Sequence, residues 1–165
     1  MNERQHRTEM LEEMLAERIL VLDGATGTAV QARNLTAEDF GGHQLDGCNE
    51  NLVFSRPDVV LDIHRGYLEA GADIIETNTF GATSIVLAEY GLEHRVHELN
   101  ETAARLAKQA AAEFSSSSRP RFVAGSIGPT TKSISVVGGI TFDELIEAFY
   151  GQAAGLVSEI GRAHV

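Results

Sequence analysis

The stretch "ADIIETNTF", residues 72–80, is a short apolar run that ends in a cluster of polar side chains. Two other stretches repeat this arrangement, "ILVLDGATG" at residues 19–27 and "RFVAGSIG" at residues 121–128. Each apolar run is too short for a helix and is followed by turn or polar residues, which predicts a buried β-strand. The sequence therefore predicts three strands, each with polar residues at its carboxyl end.

Segments with apolar residues three or four positions apart lie between these strands and indicate helices. Pro57 suits the first turn of one helix, Ser55 its cap and Gly71 its end. Thr141 and Glu144 predict a capping box for another helix. The predicted helices cover residues 3–17, a small-residue segment ending near residue 33, residues 57–70, 82–90 and 93–114, and a segment from residue 142 onward.

The alternation of strands and helices predicts an α/β protein with a parallel sheet. Two architectures fit this pattern, an open doubly wound sheet and a (β/α)8 barrel, and the pattern leaves both open. Both place ligands at the carboxyl ends of the strands. Residues 34–54 show neither periodicity and predict a long irregular loop, which in a compact domain is usually functional.

Composition excludes several classes of protein. The net charge of −11 argues against nucleic acid as a partner, because such binders need clustered Lys and Arg. The start has no apolar signal segment and no run approaches a membrane span, so we expect a cytoplasmic protein with no membrane partner. Cys48 is the single cysteine, which excludes an internal disulfide and a zinc site of several thiolates.

The turn at Asp23 favours a small zwitterion over a phosphate. Gly24 and Gly27 match neither the dinucleotide nor the P-loop spacing, and no lysine follows. An acid beside free backbone N–H groups suits an amino acid, since the acid can bind an ammonium and the N–H groups a carboxylate. The alternative, in which Asp23 only caps the following helix and Gly24 relieves backbone strain, stays open at this point.

Residues 18–157 resemble the homocysteine S-methyltransferase family. The resemblance is carried by "ILVLDGATGT", "YGLEH" and the long segment around "AGADIIETNTF", and the stretch "GSIGPTTKSIS" is most similar to the homocysteine-binding domain of cobalamin-dependent methionine synthases. It implies a truncated (β/α)8 barrel of about three βα units, with residues 1–157 forming part of the homocysteine-binding domain.

The resemblance also implies residue roles and cofactors. Asp23 would contact the amino group of homocysteine, Gly24 and Ala25 would lie near its carboxylate, and Asn78 and Ser126 would face the same site. In the family, zinc held by three cysteines binds the homocysteine thiolate, which takes a methyl group from methylcobalamin. Those cysteines belong to later segments, so we expect this chain to bind neither zinc nor cobalamin and to be inactive alone, while folate- and cobalamin-binding modules of the same parent chain are the implied partners.

The last residues, 158–165, are interpreted as a non-native tail. The sequence "EIGRAHV" at residues 159–165 is the translation of GAGATCGGAAGAGCACACGTC, which closely resembles a sequencing-library adapter. It stands where the family's fourth strand would begin. We therefore expect the chain to be a fragment that aggregates or forms a molten state when expressed alone, because inward-facing strand residues would lack packing partners.

Two further functions stay open. One is a fragment of a cobalamin-independent homocysteine methyltransferase that uses betaine or S-methylmethionine, or is fused to a folate reductase. The other is a small, complete α/β binding protein.

Among other polar residues, His64, His94 and His97 are expected on the solvated faces of helices, and the role of Glu76 is left open.

Overall fold

The structure is a computed structural model that describes residues 3–134 and 139–161. No helix among these residues is both long enough and apolar enough to cross a membrane. The α-helices and β-strands follow in the order α1 (Glu3–Glu17), α2 (Thr26–Gln31), α3 (Ala37–Phe40), α4 (Leu52–Ser55), α5 (Pro57–Ala70), β1 (Ile74–Glu76), α6 (Ser84–Leu87), α7 (Val96–Phe114), β2 (Phe122–Ala124) and α8 (Phe142–Ile160).

The sheet is parallel and small. Strand β1 pairs with β2, with Ile74 opposite Phe122, and on its other side Leu22 forms a parallel bridge to Ile74. The backbone N–H of Asp23 donates to the Ile74 carbonyl at 2.9 Å. Three parallel segments therefore lie side by side in chain order, and the α/β class predicted from the sequence is confirmed.

The first predicted strand is not a buried strand. Leu22 makes a single bridge, and Ile19 is 89% exposed while Leu22 is 48% exposed. The prediction of a buried strand at residues 19–22 is wrong. Among the described residues, α5 and α7 pack against Ile75 of β1, whereas Ile19, Val21 and Leu22 are exposed and Leu20 is only partly buried.

The helices cover one face of the sheet. Ile75 is fully buried in a cluster with Leu68 of α5 and Ala107 and Ala110 of α7. Because side chains alternate along a strand, Glu76 lies on the opposite face from Ile75. The polar end of β1 is therefore kept apart from the apolar contact with the helices.

Helix α1 lies at the amino ends of the strands. Arg18 forms a two-pronged ion pair with Asp73, which directly precedes β1, with both N···O distances 2.8 Å. Arg7 donates to the carbonyl of Arg121, which precedes β2, at 2.7 Å, and its guanidinium lies over the Phe122 ring. The amino edge of the sheet is thus closed by α1.

The predicted ends of α5 and α8 are confirmed, apart from the predicted cap of α5. Pro57 begins α5, Gly71 ends it with φ of 113°, and Thr141 and Glu144 form the capping box of α8. Ser55 does not cap α5, because it belongs to α4 and its hydroxyl donates to the Asn51 carbonyl.

The segment of residues 34–54 is not an irregular loop throughout. It contains α3, most of α4 and two single-turn 3-10 helices at His43–Leu45 and Asn49–Asn51. Its short helices are separated by residues such as Gly41 and Gly42 at positive φ, which obscures any periodicity.

Helix α8 includes the first residues of the interpreted tail. Ser158 and Glu159 continue the helix, and Glu159 pairs with Lys108 of α7 at 3.0 Å. Residues 162–165 lie outside the described part of the chain. On its other side α8 exposes a stripe of Phe142, Ile146 and Tyr150.

Candidate active site

The carboxyl edge of the sheet brings Asp23, Glu76 and Ser126 together. Asp23 follows the first parallel segment, Glu76 ends β1, and Ser126 lies two residues after β2. The Glu76 N–H donates to Oδ2 of Asp23 at 3.0 Å, and the Ser126 hydroxyl donates to Oε2 of Glu76 at 3.3 Å. Glu76 therefore links two of the residues that the sequence predicted for the site.

The carboxylate of Asp23 is in an unfavourable environment for its charge. Partial burial raises the pKa of Asp23 to about 6, and the negative charge of Glu76 adds to this, while the hydrogen bond from the Glu76 N–H opposes it. No ion pair to Asp23 or Glu76 occurs among the described residues. The two acids leave a negative site open to a cation.

Asp23 does not cap the helix that follows it. The N-cap position of α2 is Ala25, and no side chain bonds to that helix end. Within the described residues, the backbone N–H groups from Gly24 to Thr28 donate no hydrogen bond. The open alternative of a capping role is wrong, and free N–H donors lie beside a carboxylate that is not paired with a cation.

Gly24 and Ala25 are held against helix α5. A Cβ at Gly24 would lie 3.2 Å from the Tyr67 ring, and the Tyr67 hydroxyl donates to the Ala25 carbonyl at 3.3 Å. Gly24 has no positive φ, so glycine is used here for close approach to Tyr67 and not to relieve backbone strain.

Ser126 is fixed by a buried polar network. Its N–H donates to Oγ1 of Thr77 at 3.0 Å, and its carbonyl accepts from the Thr79 hydroxyl at 2.7 Å. Gln152 of α8 is fully buried and donates to the Thr79 carbonyl at 2.7 Å. The backbone of Ser126 is thereby held rigidly, and its hydroxyl remains directed to Glu76.

Asn78 contacts the segment before α4. Its amide donates to the Asn49 carbonyl at 2.7 Å, and the side chain is only 6% exposed. Nearby, Glu50 accepts the Gly81 N–H at 2.8 Å. Asn78 therefore binds the backbone at Asn49, whereas the Ser126 hydroxyl is bonded to Glu76.

The described residues do not fit a zinc ion. They contain no group of three or more His, Cys, Asp or Glu side chains arranged to hold a metal. Cys48 is buried, and this burial raises its thiol pKa to about 11, which disfavours the thiolate that zinc requires. No step of the chemistry is assigned to zinc here.

The sequence left the role of Glu76 open and predicted the wrong environment for His64. Glu76 is central to the site. Its position could have indicated this, because Glu76 is the last residue of a strand and lies on the opposite face from the buried Ile75. His64 was expected at the surface, but it is only 1% exposed, so that expectation is wrong. It lies on the buried side of α5 together with Val60 and Ile63. His94 and His97 are exposed, as predicted.

Comparisons with known proteins agree with this geometry. Residues 20–161 match the family model of homocysteine S-methyltransferases. The crystal structure of the homocysteine methyltransferase MmuM from Escherichia coli in its oxidised form is similar, with a TM-score of 0.72 and 22% identity over 90% of this chain. The metallated form of MmuM gives the same TM-score with 21% identity.

The chain spans about half the length of these solved proteins, 53% of the oxidised form and 54% of the metallated form. The similarity shows that the chain has the fold of the portion it covers. Its small parallel sheet, flanked by helices on one face, is part of that shared fold.

Proposed function

The chain belongs to the homocysteine S-methyltransferase family, and from this premise we propose that it forms the homocysteine-recognising part of a methyltransferase. The observation that carries the proposal is the carboxylate of Asp23 at the carboxyl edge of the sheet: among residues 3–134 and 139–161 it is paired with no cation, and the backbone N–H groups beside it donate no hydrogen bond. We propose that the fold continues the (β/α)8 barrel that the sequence resemblance implies.

In this proposal, Asp23 binds the ammonium of homocysteine and the N–H groups from Gly24 to Thr28 bind its carboxylate. Opposite charges at a partly desolvated site interact more strongly than in water, which supports recognition of a zwitterion. The close approach of Gly24 to Tyr67 holds the turn in place for this contact.

The finer proposal is a methionine synthase in which methylcobalamin, reloaded from methyltetrahydrofolate, donates the methyl group. It is supported by the stretch "GSIGPTTKSIS" at residues 125–135, which is most similar to that subtype. Zinc and cobalamin are proposed for the natural protein that carries this chain, together with its folate- and cobalamin-binding modules; zinc bound there would lower the thiol pKa of homocysteine.

Calorimetric titration of L-homocysteine into that natural protein tests the proposal. Asp23→Asn keeps an oxygen to accept the Glu76 N–H but removes the charge, so we expect the Kd to rise at least about tenfold. Asp62→Asn is the matched control, because Asp62 is exposed on α5 and makes only a 3.6 Å pair with Arg65; it should leave the Kd unchanged.

Equal binding by the wild type and Asp23→Asn would contradict the ammonium-binding role. Assays of methyl transfer with methylcobalamin, betaine and S-methylmethionine as separate donors then test the subtype. Transfer from betaine or S-methylmethionine alone would replace the cobalamin-dependent assignment with the cobalamin-independent one.

A further inference from the structure

Glu76 and Asp23 form a pair of carboxylates across neighbouring strands. They are joined through the Glu76 backbone, whose N–H donates to Asp23 at 3.0 Å. Glu76 lies on the face of β1 opposite to the buried Ile75, so it is on the side of the sheet that α5 and α7 do not cover. Both acids are thus available at the same edge.

The second oxygen of each carboxylate has no hydrogen-bond partner within residues 3–134 and 139–161. Partial burial raises the pKa of Asp23 to about 6, and the nearby charge of Glu76 adds to this shift. Two interacting acids without a cation are unfavourable in the free protein, and a bound cation would relieve that repulsion.

The hydroxyl of Ser126 sets the position of one of these acids. It donates to Oε2 of Glu76 at 3.3 Å, while the Ser126 backbone is fixed by Thr77 and Thr79. A hydroxyl that donates in this way orients the carboxylate that accepts its hydrogen bond.

We propose that Glu76 is the second carboxylate that binds the substrate ammonium, and that Ser126 is a positioning residue which acts through Glu76. This inference rests on the proposed function and adds a specificity determinant to it: the acid pair selects amino acids over otherwise identical thiols that lack the amino group.

The test compares two ligands by calorimetry in the natural protein that carries this chain. L-homocysteine has the amino group, and 4-mercaptobutanoic acid is the same molecule without it. We expect Glu76→Gln to reduce the preference for homocysteine at least about tenfold while leaving the Kd of 4-mercaptobutanoic acid unchanged or lower. Glu69→Gln is the control, because Glu69 is exposed near the C-terminal end of α5; this variant should change neither Kd.

Ser126→Ala should reduce the same preference by a smaller factor, and the double variant with Glu76→Gln should match Glu76→Gln alone, because Ser126 acts through Glu76. Affinity for homocysteine should fall in acid as Asp23 becomes protonated near pH 6, and Glu76→Gln should move this fall to lower pH.

Two results would overturn the inference without affecting the proposed function. One is a Glu76→Gln variant that prefers homocysteine as strongly as the wild type does; the other is an equal loss of affinity for both ligands, which would indicate a structural role for Glu76. Additive effects of Ser126→Ala and Glu76→Gln would overturn the positioning role. A wild-type protein that binds neither ligand would instead overturn the proposed function, and the inference with it.

Discussion

Asp73 and Asp23 lie at opposite ends of the same parallel sheet, and their surroundings differ sharply. Asp73, at the amino edge, accepts hydrogen bonds from Nη1 and Nη2 of Arg18 and also from the Val21 N–H at 2.9 Å. These contacts lower the pKa of Asp73 to about 2. Asp23, at the carboxyl edge, has no cationic partner in the part of the chain that the structure describes, and partial burial raises its pKa to about 6.

The difference separates an acid that stabilises the fold from one kept for a ligand. A paired, hydrogen-bonded carboxylate contributes to stability, whereas a partly buried carboxylate without a cation costs free energy until something binds it. Strained or unsatisfied charges of this kind concentrate at functional sites. The amino edge is therefore structural, and the carboxyl edge is the proposed binding edge.

The largest expected effect comes from Asp73→Asn. The change leaves the buried Arg121 guanidinium and Arg18 without their carboxylate, which should lower the free energy of unfolding by about 3 kcal/mol. Urea unfolding of the natural protein at neutral pH measures this. Asp62→Asn should cost less than about 0.5 kcal/mol. A loss no larger than that of the control would mean that the amino edge does not depend on its ion pair.

The burial of His64 within α5 makes the stability of the fold depend on pH. His64 is buried, no hydrogen bond to either ring nitrogen occurs in the described part of the chain, and burial lowers its pKa to about 4. The unfolded state takes up a proton first, so stability should fall by about 3 kcal/mol as the pH drops from 6.5 to 4. His64→Leu should abolish this loss in urea titrations at a series of pH values; an unchanged acid limb would contradict the assignment.

Asp23→Asn should have the opposite sign to Asp73→Asn. The raised pKa of Asp23 means that its charge opposes folding, an effect that is absent below about pH 4 and grows as the pH rises through 6. At pH 7.5 the variant should be more stable by about 1 kcal/mol, allowing for partial contact with solvent. Thermal unfolding with ligand absent measures this, and a clear destabilisation would show that Asp23 also has a structural role.

The smallest effect is expected from paired glycine substitutions. Gly24→Ala places a Cβ 3.2 Å from the Tyr67 ring, which must move slightly, so we expect a loss of about 0.5 kcal/mol. Gly27→Ala meets nothing within 4 Å and lies in α2, so it should gain about 0.5 kcal/mol. Equal shifts in the unfolding midpoint would show that Tyr67 does not restrict the turn.

Local patterns in the sequence were enough to predict several elements. Pro57, Gly71 and the pair Thr141 and Glu144 act within one or two turns of chain, so their helix ends followed from residue type alone. The apolar runs at Ile74 and Phe122 were also correctly taken as parallel strands. Asp23 and Ser126 were placed at one edge because parallel strands share their carboxyl ends.

What required the tertiary structure was the choice of partner for each polar group. Residue type and spacing were enough to place Asp23, Glu76 and Ser126 at the carboxyl ends of three parallel segments. They were not enough to show that the backbone of Glu76 binds Asp23, that Asn78 is bonded to Asn49, or that His64 is buried. The hydrogen bonds join residues that are 29 and 53 positions apart in the chain. These bonds and the burial of His64 depend on how the helices pack against the sheet, which no local spacing of residues encodes. The same packing decided that Asp73 is paired with Arg18, which directly follows α1, while Asp23 has no such partner in the described part of the chain.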